Sequence, residues 1–428
     1  MKPIQVGLLG LGTVGTGVVR IIEGHQEDLM SQVGSPIQVR KVLVKDMRKQ
    51  RHLNIQPELM TEDASEVVFD PEIDVVVEVM GGIEPTKQLI LDALEQGKHV
   101  VTANKDLMAL HGPEILEKAR ANNCDVFYEA SVAGGIPIIR TLMEGFSSDR
   151  IKKIMGIVNG TTNYILTKMS QEGAAYQDVL KEAQALGYAE SDPTSDVEGL
   201  DAARKMAILA TLGFHATVGL EDVVVKGISS ISKEDIGYAK RLGYEMKLLG
   251  IAERQDDQIS VVVQPTMVKT SHPLASVNGV FNAVYVYGEA VGETMFYGPG
   301  AGEMPTATSV VADLVAVVKN LRIGVNGKQG HHAYRTKKLK TDDQIHYKNF
   351  ILLDVHDRAG VLARITQVFA EFGVSLESVV QQPNPNNPDA EIIIITHEAS
   401  QASMRKVLDH FVSLDVIKEI KSAYRVEG

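Results

Sequence analysis

The chain begins with a regular alternation of short apolar runs and helix-length segments. Between Ile4 and Tyr128 the β-rich runs are Ile4–Leu9, Gln38–Val44, Asp74–Val79, Lys98–Thr102 and Asp125–Tyr128. Several are almost wholly apolar, as strands covered by helices on both faces must be, so the rhythm predicts βαβ units and an open doubly wound parallel sheet. Beyond Ser131 the character changes. A strand-like Ile151–Val158 precedes helical segments and then the runs Ile259–Val263 and Asn282–Val286, which predicts an α+β second domain reaching Gly302. Pro305–Leu321 reads as a helix opened by a proline whose missing N–H costs nothing there, and it is expected to pack back on the first domain. Lys328–Lys348, with Lys337, Lys338 and Lys340 and little periodicity, reads as a solvated linker. Then Phe350–Val355, Val361–Phe372, Leu376–Gln381, Ala390–Thr396, Ser400–His410 and Val416–Tyr424 follow the β-α-β-β-α-β order of a ferredoxin-like module. The expected domains are residues 1–130 with 303–328, residues 131–302, and residues 350–428.

With 428 residues, 44% apolar and 23% charged, the chain is long enough for two or three separate cores. No run of about 18 apolar residues occurs, and Met1, Lys2 and Pro3 lead directly into a strand-like run. A cytoplasmic protein without a membrane partner is therefore expected. The single cysteine, Cys124, excludes an internal disulfide framework and a cysteine-based zinc site, which moves any metal question to oxygen ligands. A net charge of −12 argues against nucleic acid, because neutralising phosphates takes a basic surface. A small-molecule substrate is the remaining expectation.

Gly10-Leu11-Gly12-Thr13-Val14-Gly15 follows the first strand and opens a helical segment. Glycines placed there let a dinucleotide pyrophosphate approach N–H groups at a helix N-terminus, the arrangement of a Rossmann-type sheet. Without its strand and helix the same pattern is only a tight turn. After the second strand, Asp46 is placed to accept from a ribose 2′-hydroxyl and favours NAD, whereas Lys45, Arg48 and Lys49 are placed to hold a 2′-phosphate. The cations lean to NADP.

Ligands of such sheets sit beyond the carboxyl ends of the strands. The fourth strand ends in Thr102-Ala103-Asn104-Lys105, which aims the Lys105 ammonium at the cofactor crevice, although lysines are exposed by default. The fifth ends in Glu129-Ala130-Ser131-Val132-Ala133-Gly134-Gly135-Ile136-Pro137. A carboxylate beside a run of carbonyls is able to hold a hard cation, but a turn leading into a helix is the commoner use of such residues. The densest chemistry lies between Gly187 and Lys205, where Glu190, Asp192, Asp196, Glu198 and Asp201 gather at the start of a helix and Asp201 and Lys205, four apart, share one face. An amino-acid aldehyde needs carboxylates for its ammonium group and an acid near its carbonyl oxygen. This segment holds both, although a solvated acidic loop with an ordinary ion pair has the same composition.

In this order, G-L-G-T-V-G, T-A-N-K, E-A-S-V-A-G-G-I-P, N-G-T-T-N (Asn159 to Asn163) and A-E-S-D-P-T-S-D-V-E-G-L-D-A-A-R-K, the motifs resemble homoserine dehydrogenases through residues 1 to about 325. Phe350–Gly428, with Asp357-Arg358-Ala359-Gly360-Val361-Leu362, resembles an ACT domain, a module that binds amino acids in metabolic feedback. The resemblance implies hydride transfer between NADP or NAD and C4 of L-aspartate 4-semialdehyde, giving L-homoserine in threonine, methionine and isoleucine biosynthesis. It implies Lys105 and Lys205 as the catalytic pair, with Lys205 as proton donor. It places Glu190, Asp201, Asn159, Gly160 and Thr161 on the substrate, and Gly10, Gly12, Thr13, Val14, Gly15, Lys45, Lys105, Gly187 and Gly302 on the cofactor. A structural monovalent cation, sodium in this family, would be held by the Glu129 carboxylate and the backbone oxygens of Val132, Gly134 and Ile136. Threonine is the implied effector, near Asp357, Gly360 and Val361, and a homodimer or homotetramer the implied assembly.

Other readings fit less well. A semialdehyde-oxidising dehydrogenase needs a thiol, and Cys124 stands at the start of the fifth strand, away from the carboxyl edge. A non-catalytic nicotinamide-binding sensor has no use for the Lys105 and Lys205 pair.

Overall fold

The computed structural model describes residues 2–51, 53, 55–328, 333–383 and 389–428, so part of the polar stretch after Lys328 lies outside the described residues. The chain forms two compact units. One comprises Met1–Gly160, Asp201–Val223 and Val280–Lys337, the other Thr161–Leu200, Val224–Gly279 and Lys338–Gly428.

In the first unit, β1 (Ile4–Leu9), β2 (Ile37–Leu43), β3 (Met60–Thr61), β4 (Val75–Glu78), β5 (His99–Thr102) and β6 (Val126–Phe127) form a parallel sheet. Their order is β3-β2-β1-β4-β5-β6. Strand order reverses between β1 and β4, the crevice where doubly wound sheets bind dinucleotides. Val75, Val76, Val77, Val100 and Val101 are all buried, as strands covered on both faces require. β3, two residues long, is too short to leave a period in the sequence. The helices that matter for the site are α1 (Thr13–Gly24), α2 (Lys105–Ala121), α3 (Leu200–Phe214) and α4 (Glu303–Ile323). α4 packs on the sheet domain: its Val310, Leu314, Val317 and Val318 join Val18, Ile21 and Ile22 of α1 in one core, each such buried side chain contributing about 1.5–3 kcal/mol. At the helix ends Arg20 meets Glu303 at 2.6 Å. The same unit holds the antiparallel strands Ile151–Ile157, Phe281–Gly288 and Gly292–Pro299.

In the second unit the strands Tyr244–Gln255 and Gln258–Lys269 form a long antiparallel hairpin. Gln258–Lys269 then pairs in parallel with the last strand, Ile417–Glu427, with Thr266 opposite Arg425. That strand continues into His346–His356, Asp389–Thr396 and Leu376–Pro383. The helices Val361–Glu371 and Gln401–Ser413 bury Ile365, Phe369, Val407 and Phe411 against Ile351, Leu353, Ile392 and Ile394, so the β-α-β-β-α-β module is present. Because the module shares a sheet with the hairpin's second strand, Gln258–Lys269, the second unit takes in part of the middle segment read from the sequence. In the solvated stretch, Lys337 and Lys338 are exposed, and Ile259 N–H donates to the Lys338 carbonyl and Lys340 N–H to the Ile259 carbonyl, both at 2.8 Å, so this part runs bonded along the hairpin.

Candidate active site

The glycine turn is built by close approach. Gly10 has φ +105°, and a side chain there would meet Met80 Cα at 2.9 Å; one at Gly15 would collide with the Gly10 carbonyl. Gly12, the N-cap of α1, faces open space, no side chain caps the helix, and its first turn carries no acid. The N–H groups and positive dipole end of α1 therefore line an open cradle that fits a pyrophosphate. Thr13 and Val14 form its first turn, and Gly302, at φ +129°, is the N-cap of α4. Lys45, Asp46, Arg48 and Lys49 are all exposed beyond β2. Asp46 Oδ1 accepts from Arg48 N at 2.8 Å and lies 3.6 Å from Arg48 Nε, so the patch presents groups suited to either cofactor.

Three segments of the same unit meet at Asp201. Asn104 caps α2, its Oδ1 accepting from Leu107 N at 3.1 Å, and this makes Lys105 the first helical residue. Asp201 and Lys205 share one face of α3 as their spacing predicts. Lys205 Nζ donates to Asp201 Oδ2 and to the Val158 carbonyl, both at 2.7 Å; Lys105 Nζ lies 3.4 Å from Asp201 Oδ1; Asn159 Nδ2 donates to Asp201 Oδ2 at 2.9 Å. Burial pushes the Asp201 carboxyl up, but the Lys205 and Lys105 charges and the bonds from Lys205 and Asn159 overcome it and hold the carboxyl at about 2. One carboxylate between two ammoniums leaves a net positive charge. The side chains of Lys205 and Lys105 are 13% and 32% exposed, so solvent reaches both. Arg204 Nε on α3 adds a 3.0 Å ion pair to Asp106 on α2, a link with no signal in the sequence.

Gly160 follows Asn159, and a side chain there would strike the Val280 carbonyl at 2.8 Å. Thr161, Gly187 and Glu190 belong to the second unit. There Thr161 Oγ1 donates to the Tyr188 carbonyl at 2.5 Å, Gly187 is exposed at φ +76°, and Glu190 is exposed while its carbonyl accepts from Gln184 Nε2 at 3.0 Å.

The turn after β6 does lead into a helix: Glu129 Oε1 and Oε2 accept from Ile139 N at 2.7 Å and Arg140 N at 2.8 Å. Glu129 N donates to Asp313, whose other oxygen accepts from Arg140 Nη2 at 2.6 Å. Burial, with Glu129 alongside, pushes the Asp313 carboxyl up to about 7 against the pull of the Glu129 N–H and Arg140. Two buried carboxylates thus face one guanidinium. The Gly134 carbonyl accepts from Ser309 Oγ at 2.6 Å and the Ile136 carbonyl from Ile138 N at 2.8 Å, each keeping a second lone pair. Burial drives the Cys124 thiol up to about 11, which removes it as a nucleophile.

A doubly wound sheet with an open glycine cradle, and a charged lysine pair in the same unit, defines an NAD(P)-dependent oxidoreductase. Residues 137–315 match the homoserine dehydrogenase family, residues 10–129 the homoserine dehydrogenase NAD binding domain and residues 350–416 the ACT domain. A homoserine dehydrogenase of Bacillus subtilis (strain 168) is 59% identical over 429 residues, spanning 100% of this chain and 99% of that one. The crystal structure of a homoserine dehydrogenase from Thiobacillus denitrificans is similar with a TM-score of 0.94 at 41% identity, covering 100% of this chain and 98% of that one. A hyperthermophilic archaeal homoserine dehydrogenase in complex with NADPH gives a TM-score of 0.62 at 26% identity over 74% and 98% of the two chains. The chain belongs to the homoserine dehydrogenase family. No helix among the described residues is long and apolar enough to cross a membrane.

Proposed function

We propose that the chain catalyses the reversible reduction of L-aspartate 4-semialdehyde to L-homoserine; the observation that carries this reading is the lysine pair bridged by Asp201. The nicotinamide, when bound, supplies or accepts the hydride. Lys205 gives a proton to the C4 oxygen as it becomes an alkoxide, and Lys105 adds a second positive charge beside it. Asp201 holds both ammoniums in place, while the Val158 carbonyl fixes the direction of Lys205. Glu190 and Asp201, with Asn159, Gly160 and Thr161, hold the amino-acid end. Gly10, Gly12, Thr13, Val14, Gly15, Lys45, Lys105, Gly187 and Gly302 hold the cofactor. NADP is the favoured partner on the cations beyond β2, a reading supported by the similar archaeal enzyme that binds NADPH.

The Glu129 carboxylate and the carbonyls of Val132, Gly134 and Ile136 hold a structural monovalent cation, sodium in this reading; the buried Glu129 carboxylate and the second lone pairs left on the Gly134 and Ile136 carbonyls support it. The ACT module binds threonine beside Asp357, Gly360 and Val361, where Gly360 at φ +88° starts a helix and Gln381 Nε2 donates to Asp357 Oδ1 at 3.3 Å. The enzyme works in the cytoplasm as a homodimer or homotetramer.

The test is absorbance of the reduced nicotinamide with L-homoserine plus NADP or NAD, for wild type and Lys205→Ala, with and without threonine. Turnover lost in the variant is expected, with NADP the faster cofactor and Asp357→Ala relieving inhibition by threonine. Absence of turnover in wild type with either cofactor would replace the dehydrogenase by a nicotinamide-binding sensor.

A further inference from the structure

We propose that Glu78 is a positioning residue for the reaction, tying the floor of the glycine turn to the segment that presents Lys105. Glu78 ends β4 and is fully buried. Its Oε1 accepts from Met80 N and Gly81 N, each at 2.9 Å, and its Oε2 from Thr102 Oγ1 at 2.5 Å. Met80 is the residue whose backbone a side chain at Gly10 would strike, so the loop that Glu78 gathers is the surface on which the cofactor turn rests. In the other direction, Thr102 Oγ1 accepts from Asn104 N at 3.0 Å, and Asn104 Nδ2 donates to the Gly82 carbonyl at 2.7 Å. The same Asn104 caps α2 and thereby fixes its first residue, Lys105. One carboxylate is thus joined directly to both sides of the crevice, by two hydrogen bonds on one side and one on the other.

The chemistry requires an acceptor on both oxygens. Glutamine at this position still accepts from Met80 and Gly81 but sets an NH2 against the Thr102 hydroxyl, whose proton then has no acceptor. Burial pushes the Glu78 carboxyl up and the bonds from Thr102, Gly81 and Met80 pull it down, so an acid at this buried position is costly and packing alone gives no reason for it.

The inference rests on the reading of Lys105 as catalytic. The experiment uses the full chain with Glu78→Gln, Thr102→Val and their combination, each also in a Lys105→Ala background, measuring kcat, KM for L-homoserine, KM for the nicotinamide, and Tm. Each single change is expected to lower kcat about tenfold and raise the cofactor KM severalfold, with the KM for L-homoserine nearly unchanged and the double variant about as impaired as the worse single. In the Lys105→Ala background Glu78→Gln should leave kcat within about twofold while still raising the cofactor KM. Singles that keep both kcat and cofactor KM near wild type, or losses that multiply in the double variant, overturn the proposal, as does an undiminished kcat loss without Lys105. If Glu78→Gln does not fold, the near-isosteric Thr102→Val decides on the same readouts. If Lys105→Ala itself keeps wild-type kcat, the catalytic reading of Lys105 fails, and an unchanged cofactor KM in Glu78→Gln then overturns the positioning role separately.

Discussion

Lys205 and Lys247 are both lysines set into the protein, and their surroundings are opposite. Lys205 shares the Asp201 carboxylate with Lys105 and keeps a solvent-accessible side chain. Lys247, in the second unit, is 1% exposed and is held by neutral oxygens: the Val277 carbonyl at 2.5 Å, Asn278 Oδ1 at 3.1 Å and Asn163 Oδ1 at 3.4 Å. Burial lowers it to about 8, with only partial relief from Glu245. The difference separates two uses of one side chain. An ammonium meant for chemistry is given a counter-ion and an open side; an ammonium meant for structure is enclosed, and three oxygens compensate it incompletely.

The largest expected break of this contrast is Lys205→Met, which should lower kcat by about 10²–10⁴-fold, the span of general acid catalysis, and should also lower the thermal midpoint, because it takes the nearer cation from the buried Asp201 carboxylate. Nicotinamide absorbance under saturating substrate reads the first and calorimetry the second. A kcat within tenfold of wild type would remove Lys205 from the acid's role.

Next in size is Asp201→Asn. Two ammoniums would then face an amide in a buried site, and a stability loss of about 3–5 kcal/mol is expected from urea unfolding, the cost of breaking a buried pair by removing one partner. If the loss is below about 1 kcal/mol, solvent already screens the cluster and the contrast with Lys247 collapses.

How far the contrast is legible in the sequence depends on its signals. Asp201 and Lys205 announce themselves by i,i+4 spacing, and Lys105 by its place after a strand. Lys247 has no such mark: the residues that hold it, Asn163, Val277 and Asn278, are distant in sequence from its strand, Tyr244–Gln255. Glu78 is hidden for a similar reason, since its bonding partners come from a different strand and from the loop beyond. The parallel sheet and the ferredoxin-like module are carried by local periodicity. The parallel pairing of Gln258–Lys269 with Ile417–Glu427 joins strands far apart in the chain and has no local signature.

Lys247 gives the third prediction. Its folded-state value lies below that of a free lysine, so between about pH 8 and 10.5 the unfolded chain binds more protons and stability should rise with pH by about 3 kcal/mol relative to Lys247→Met. Taking the difference between the two proteins cancels the tyrosines that titrate in the same window. A flat difference would mean that the three oxygens fully compensate the charge, making the two lysines alike.

The smallest effect lies on the acid side, at Asp201. Its folded-state value, about 2, is below the ordinary 3.8, so its contribution is fully present above about pH 4 and is lost as pH falls towards 2. Close to two pH units correspond to about 2 kcal/mol. Urea midpoints of wild type and Asp201→Asn should therefore converge by about that amount between pH 4 and pH 2, the variant lacking the group that titrates. Lys105→Met should shrink the convergence without abolishing it, because Lys205 at 2.7 Å is the nearer cation and Lys105 at 3.4 Å the further. Convergence that is unchanged by Lys105→Met would make Asp201 the partner of Lys205 alone, leaving Lys105 held by its place on α2 instead of by the shared carboxylate.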